Sequence, residues 1–363
     1  MSLALLAIAV AIAGKQVPPA ELMSKLTRGV NVSRWFCYCD PHDTAHFTNY
    51  LTDEDFRNFH RLGVHFVRLC VEPEAIYGDG TPDPANLPYL DAAIDRLEKE
   101  GFAVVLDLHD THDKMKLDQQ GHDNSGFLKF WTAMAQHEKG RGETSTVFEL
   151  VNEPIFRNNP EDWYKLQVQA VDAVRGADPE RTILVASTGY NSVDTLVKMT
   201  PLPAGNLIYS FHCYDPFIFT HQGATWSSEQ VKVMRNLPFP SSPEGVSAVL
   251  NAIPAEHRAA AVAYGNHRYD AAYLRSRLAK AADWGAQNHV PVFLGEFGCY
   301  PPAVQPDSRG RWFDAMRDAI QELNLPSSLW AYDDALGLGR KQSPDGKIVL
   351  DPVTLDHYFK EAN

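Results

Sequence analysis

Short runs of apolar, β-branched and aromatic residues recur along this chain, each followed by a stretch with apolar residues at helical spacing. The runs are Gly29–Ser33, Val64–Leu69, Phe102–Leu108, Thr146–Val151, Thr182–Ala186, Asn206–Phe211, Val290–Leu294 and Ser328–Ala331. A strand without polar alternation is covered on both faces, which is the condition of a parallel sheet flanked by helices. The intervening helices are read as one starting near Thr52, with Asp55 three residues on, then Tyr89–Lys99, Gly126–His137, Glu161–Val174, Tyr269–Gln287 and Arg311–Leu323. Eight strand–helix units in 363 residues favour an α/β fold of the closed (β/α)₈ TIM-barrel kind over an open doubly wound sheet. No GxGxxG follows the first strand, so the usual dinucleotide signature is missing. Residues 25–363 are read as one barrel domain, interrupted after strand 6 by a loop insertion, Cys213 to Asn266, rich in Pro, Gly and Ser.

The formal net charge of −13 argues against nucleic acid, an anionic membrane surface or a polyanionic substrate, and leaves a neutral ligand as the best fit. Residues 1–24 are read as either a signal peptide or a retained N-terminal helix. Leu3 to Ala13 is unbroken apolar sequence, and Ala11-Ile12-Ala13 has the small-x-small form of a cleavage site, although no Lys or Arg precedes it. The run is too short to cross a hydrocarbon core of about 30 Å, so no stable membrane span is expected. Removal of the segment would imply a secreted or periplasmic protein. Of the cysteines, Cys37, Cys39, Cys70, Cys213 and Cys299, at least one must be free. Cys213 and Cys299 fall just past neighbouring strands, which leaves one bridge open in an exported chain.

In a parallel barrel the functional groups gather where strands end and the following loops begin. Those points hold Arg68, His109, Asn152 with Glu153, His212 with Tyr214, Glu296 and Trp330. Two of them are carboxylates closing hydrophobic strands. Such a pair suits glycosidic bond cleavage, where one carboxyl protonates the departing oxygen and the other meets the oxocarbenium-like centre. Mutual repulsion and burial separate their acidities. Arg68 and Tyr214 can keep Glu296 ionised, His212 can hold Glu153, Asn152 can meet a sugar hydroxyl, and Trp330 offers an apolar platform.

These segments together resemble glycoside hydrolase family 5. The resemblance rests on Arg28-Gly29-Val30-Asn31 with Trp35-Phe36, Val67-Arg68-Leu69, Leu106-Asp107-Leu108-His109, Leu150 to Pro154, Phe211-His212-Cys213-Tyr214, Leu294 to Gly298 and Leu329-Trp330. They occur in family order and span roughly Arg28 to Trp330. The resemblance implies Glu153 as acid/base, Glu296 as nucleophile, and Arg68, His109, Asn152, His212, Tyr214 and Trp330 around them. Thr220 to Trp226 and Leu237 to Pro240 are similar to the long sixth loop of cellulase-like members, which places Trp226 over a neighbouring sugar subsite. The implied activity is that of a retaining endo-β-1,4-glucanase, monomeric and without cofactor or metal. A β-mannanase or exo-β-glucosidase of the same family is the alternative.

Blander and rival readings accompany these. Asn152-Glu153-Pro154 could be a turn whose Asn caps a helix. Arg68 could serve only a structural ion pair, and Trp35 could close the barrel mouth as well as touch sugar. His109, His112 and His212 have the composition of a metal-dependent barrel hydrolase. A non-catalytic glycan-binding barrel is disfavoured by the presence of both glutamates.

Overall fold

The computed structural model describes residues 17–78, 81–111, 115–119, 121–142, 144–341 and 348–360. The apolar Leu3–Ala13 run and His112 lie outside them. Eight parallel strands close into a barrel: β1 (Arg28–Phe36), β2 (Phe66–Val71), β3 (Ala103–Leu108), β4 (Thr146–Glu149), β5 (Ile183–Ala186), β6 (Leu207–His212), β7 (Val292–Glu296) and β8 (Ser327–Leu329). Each strand pairs with its neighbours in sequence, and β8 closes on β1 through Arg28–Ser327, Gly29–Ser328 and Val30–Leu329. Because both faces of every strand are covered, β2, β3, β5 and β6 are buried at every position.

Helices pack outside the barrel as the periodicity requires. Helix α1 (Ala20–Lys25) precedes β1, and α2 (Asp53–Arg61) begins at Thr52, whose backbone N–H and hydroxyl donate to Asp55 at 2.7 and 2.8 Å. The latch satisfies an end donor and puts carboxylates at the positive end of the helix. Helix α3 (Leu87–Lys99) buries Leu90, Ala93, Ile94 and Leu97, one apolar stripe. Helix α4 (Ser125–His137) and α5 (Pro160–Ala177) pack on each other after β3 and β4.

Two layers fill the barrel. At its base Phe66, Ala103, Val105, Val147, Leu184, Ile208 and Phe293 form one apolar cluster, closed from below by Leu22 and Leu26 at α1. Gly29 is required there, because a Cβ would stand 2.3 Å from the Phe66 ring. Above it the inward row turns polar, with Arg68 two residues after Phe66, Asp107 two after Val105, and Glu149 two after Val147.

The region expected to be an irregular loop after β6 is instead a folded helical excursion. It contains Phe217–Thr220, Glu229–Lys232, Pro243–Val249 and the ten-residue α6 (Arg258–His267). Phe219, Leu237, Phe239, Val246 and Tyr264, all buried, join it to the main hydrophobic core. Its helices are short and three of the four begin at or beside Pro or Ser, so punctuation masks their period; Ser242 caps one by accepting from Gly245 N–H at 3.0 Å, with Pro243 next to it. Helix α7 (Ala271–Asn288) and α8 (Pro306–Glu322) then flank β7. All five cysteines are free, so the bridge left open between Cys213 and Cys299 is not formed. Cys213 instead sits with its thiol 3.8 Å from Asp215. Among the described residues no helix is long and apolar enough to cross a membrane.

Candidate active site

Arg68 is the organising cation of the upper barrel and is completely buried. Its Nε and Nη2 donate to Glu149 at 2.6 and 3.0 Å, Nη1 donates to Glu296 and Asn31 at 2.8 Å each, and Nη2 reaches Asn152 Oδ1 at 2.9 Å. Asp107 lies 3.1 Å from Nη2. A guanidinium cannot lose its proton, so burying it demands such partners. Arg68 therefore serves a structural network and reaches Glu296 at the same time.

Burial pushes Glu149 up to about 7, against the pull of Arg68. Both its oxygens accept guanidinium N–H groups, and the ionised form is the one that geometry fits. Burial would lower His109, but the Asp107 carboxylate, 2.7 Å from Nδ1, overrides it and holds the ring above its ordinary value. His109 Nε2 faces Asn152 Nδ2 at 3.5 Å. Trp330 stacks on His109 with ring centroids 5.2 Å apart and an interplanar angle of 17°, and is itself buried.

Glu153 and Glu296 converge from β4 and β7. An oxygen of each, together with a nitrogen of His212, lies within 4.8 Å of the others. Glu296 accepts from Arg68 on Oε1 and from the Tyr214 hydroxyl on Oε2, both at 2.8 Å. Glu153 Oε1 meets His212 Nδ1 at 2.8 Å. Burial raises Glu153 to about 7 and lowers His212 to about 4, so His212 is neutral at neutral pH. Their contact is then a hydrogen bond carrying one proton that either partner can hold. The Glu153 side chain keeps 28% of its surface open, and access to water moderates its shift. The two carboxyls thus sit in unlike surroundings, one gripped by a cation and a phenol, the other against a neutral ring.

Backbone geometry marks the same wall. Glu153 has φ 43° and Phe156 φ 39°, and a run of left-handed residues follows β5 at Gly189, Tyr190 and Asn191 with φ of 64°, 61° and 54°. Each non-glycine residue in that region costs about 1–2 kcal/mol. Asn191 Oδ1 accepts from Ser187 N–H at 3.1 Å, and Gly189 N–H donates to Ile155 O at 3.0 Å, which ties the turn to the loop after Glu153.

Every residue named from the strand ends lies in this cluster or against it; Trp226 was named from the sixth loop. Trp226 is 56% exposed on the excursion after β6 and packs edge-on against Tyr300 at 4.9 Å. Trp35 is a core residue: it stacks on Phe36 and Tyr50, and its Nε1 donates to Phe47 O at 2.7 Å. Asn152 caps no helix, since α5 starts eight residues later at Pro160. Sequence reasoning missed Asn31, Asp107 and Glu149. The signal was present, because a charge inside an otherwise apolar strand must have a buried partner.

Among the described residues three side-chain groups could hold a metal ion: Glu153–His212–Glu296, Cys70–Asp107–His109 and Asp91–His137–Glu138. His109 and His212 fall in different groups, and His112 is outside the described residues. The trio expected for a metal hydrolase is therefore not assembled among the described residues.

A closed parallel barrel with paired carboxylates at the ends of its fourth and seventh strands defines the class of barrel glycosidases. The chain belongs to the cellulase family, glycosyl hydrolase family 5, whose model matches residues 27–336, and it is a glycosidase. Endoglucanase C of Acetivibrio thermocellus is 25% identical over 320 residues, covering 85% of this chain and 92% of that protein. A hyperthermophilic endo-β-1,4-glucanase solved with substrate superposes with a TM-score of 0.73 at 22% identity, covering 94% of this chain and 99% of the other. Thermotoga maritima Cel5A, solved with mannotriose, gives 0.70 at 22% identity, with 93% and 99% covered.

Proposed function

We propose that the protein is a retaining endo-β-1,4-glucanase in which Glu296 is the nucleophile and Glu153 the acid/base. The observation that carries this is the convergence of the two carboxyls, one oxygen of each within 4.8 Å of the other. A retaining site needs about 5–5.5 Å between carboxyls, and an inverting one needs about 6.5–9.5 Å to admit a water. Their division of labour follows from their partners. Glu296 accepts from Arg68 and Tyr214, which fix the carboxylate that attacks the anomeric carbon. Glu153, raised to about 7, keeps a proton to give to the departing glycosidic oxygen.

In the first step the Glu296–carbon bond forms as the carbon–oxygen bond breaks and the proton of Glu153 moves to the leaving alcohol. In the second, ionised Glu153 takes a proton from water, whose oxygen displaces Glu296 and restores both groups. Neutral His212 accepts from or donates to Glu153 as it changes state. Asn152, oriented by Arg68, offers its amide to a sugar hydroxyl. Trp330 is proposed to present an edge to the same sugar, and Trp226 a neighbouring face.

The substrate proposed is a neutral β-glucan, as the names of the endoglucanase relatives and the charge of the chain support. Action on β-mannan is the second reading, favoured by the mannotriose complex of the structural neighbour. We further propose that the enzyme works as a monomer outside the cytoplasm, since one chain supplies every site residue and the polymer cannot enter a cell. The test is intact-mass spectrometry and peptide mapping after exposure to 2-deoxy-2-fluoro cellobioside and mannobioside reagents with good leaving groups. One glycosyl adduct on Glu296 is expected; an adduct elsewhere, or none with either reagent, defeats the assignment.

A further inference from the structure

His212 carries a buried nitrogen that the two-step mechanism leaves without a task. Its Nδ1 is committed to the carboxyls, 2.8 Å from Glu153 Oε1 and 3.5 Å from Glu296 Oε2. Nε2, on the other edge of the ring, is buried and meets no hydrogen-bond partner among the described residues. Ser210 Oγ, two residues earlier on the same inward face of β6, is buried and unmet in the same way. Buried polar atoms are nearly always satisfied, so two exceptions next to the catalytic pair need a physical reason. Both face one bare spot on β7. Phe211 pairs with Leu294 and His212 with Glu296, so Gly295 is the extra residue of a bulge that re-aims Glu296. A Cβ on Gly295 would stand 2.9 Å from His212 Nε2 and 2.9 Å from Ser210 Oγ. The missing side chain leaves the hydroxyl and the ring nitrogen around one small gap, and the hydroxyl turns about a single bond.

A neutral imidazole has one N–H and one lone pair, and burial keeps His212 neutral at neutral pH. With the proton on Nδ1, the ring donates to Glu153 Oε1, and the acid proton of Glu153 is confined to Oε2, the oxygen left for the glycosidic bond. With the proton on Nε2, the Nδ1 lone pair draws the acid proton onto Oε1, away from the substrate. We infer that Ser210 is the positioning residue that decides between these states: its hydroxyl donates to Nε2 and holds the ring proton on Nδ1. This rests on the proposed role of Glu153 as acid/base. Ser210 exchanges no proton with the substrate. It fixes which oxygen of Glu153 is armed, acting through His212.

The test compares Ser210→Ala, which removes one oxygen and no packing carbon, with the unaltered enzyme on two substrates. Cellohexaose releases an alcohol that must be protonated, whereas a dinitrophenyl β-cellobioside releases a phenolate that needs no proton. Ser210→Ala is expected to lower kcat/KM on cellohexaose by about tenfold, a part of what a general acid contributes, and to leave the dinitrophenyl substrate within about twofold. Nitrogen NMR of the ring supplies a readout independent of turnover. The unaltered enzyme should show His212 protonated on Nδ1 and bare on Nε2, and in Ser210→Ala the two signals should move toward each other. Equal losses on both substrates, no loss on cellohexaose, or a ring proton on Nε2 in the unaltered enzyme overturns the role of Ser210 alone. Undiminished kcat/KM of Glu153→Gln on cellohexaose overturns the acid/base assignment, and the role of Ser210 falls with it.

Discussion

The base and the mouth of this barrel are built from the same strands and obey opposite rules. On β2 the base holds Phe66 and the mouth Arg68; on β3 they hold Val105 and Asp107; on β4, Val147 and Glu149. One step along the inward row changes an apolar contact into an ion. The base gains from burial of apolar surface, is indifferent to pH, and needs only shape. The mouth gathers Arg68 among Asp107, Glu149 and Glu296 with every donor directed, so losing Glu296 leaves one donor unmet while two carboxylates still balance the cation. The difference teaches that stability and chemistry are separated along the barrel axis by about two residues.

The largest effect that would sharpen this contrast is at the mouth. Glu296→Ala should lower turnover on β-glucan by at least about 10⁴-fold while the melting temperature moves little, read by steady-state kinetics beside calorimetry. At the base the pattern should invert. Phe66→Ala should cost about 3–5 kcal/mol of stability in denaturant unfolding, yet leave kcat within about twofold well below the transition. Loss of activity in step with stability would break the separation.

A smaller effect concerns acidity. Glu153 must be protonated for bond cleavage, and burial raises it to about 7. Activity should therefore be full below that value and fall as pH rises through it, at or slightly below about 7 given the side chain's partial access to water. In Glu153→Gln this alkaline limb should vanish from the residual kcat/KM profile on an aryl glycoside whose leaving group needs no proton. A limb that persists unchanged assigns it to another group. The smallest change is expected from Trp226→Ala: a KM about two- to fivefold higher on long oligosaccharides with kcat unaltered, because an exposed ring at the rim adds binding alone.

Much of the fold was legible because a wholly apolar strand has few homes, and eight of them in alternation with helices have one. The two glutamates were legible for a related reason, since a carboxylate closing a buried strand stands where barrel loops begin. Arg68 was readable as an ion needing partners, but which carboxylates answered it was not. Asp107 and Glu149 lie within strands, and a run such as Thr146–Glu149 does not declare which side chains face inward. The excursion after β6 escaped because its helices are short, and propensity over four to ten residues is overwhelmed by Pro and Gly. Trp35 was ambiguous for a different reason: an indole serves a core and a sugar equally well, and only its N–H partner, Phe47 O, decides between them.

The position of α1 bears on how the enzyme can be displayed. Leu22 and Leu26 stopper the base. Near the other terminus, Tyr358 lines a basal cavity together with Arg28 and Ser327. Helix α1 and Tyr358 therefore both stand at the base, on the face opposite the cleft, with strands of up to nine residues between. An anchor that gripped the barrel at this basal face would hold it with its mouth turned away, toward the polymer.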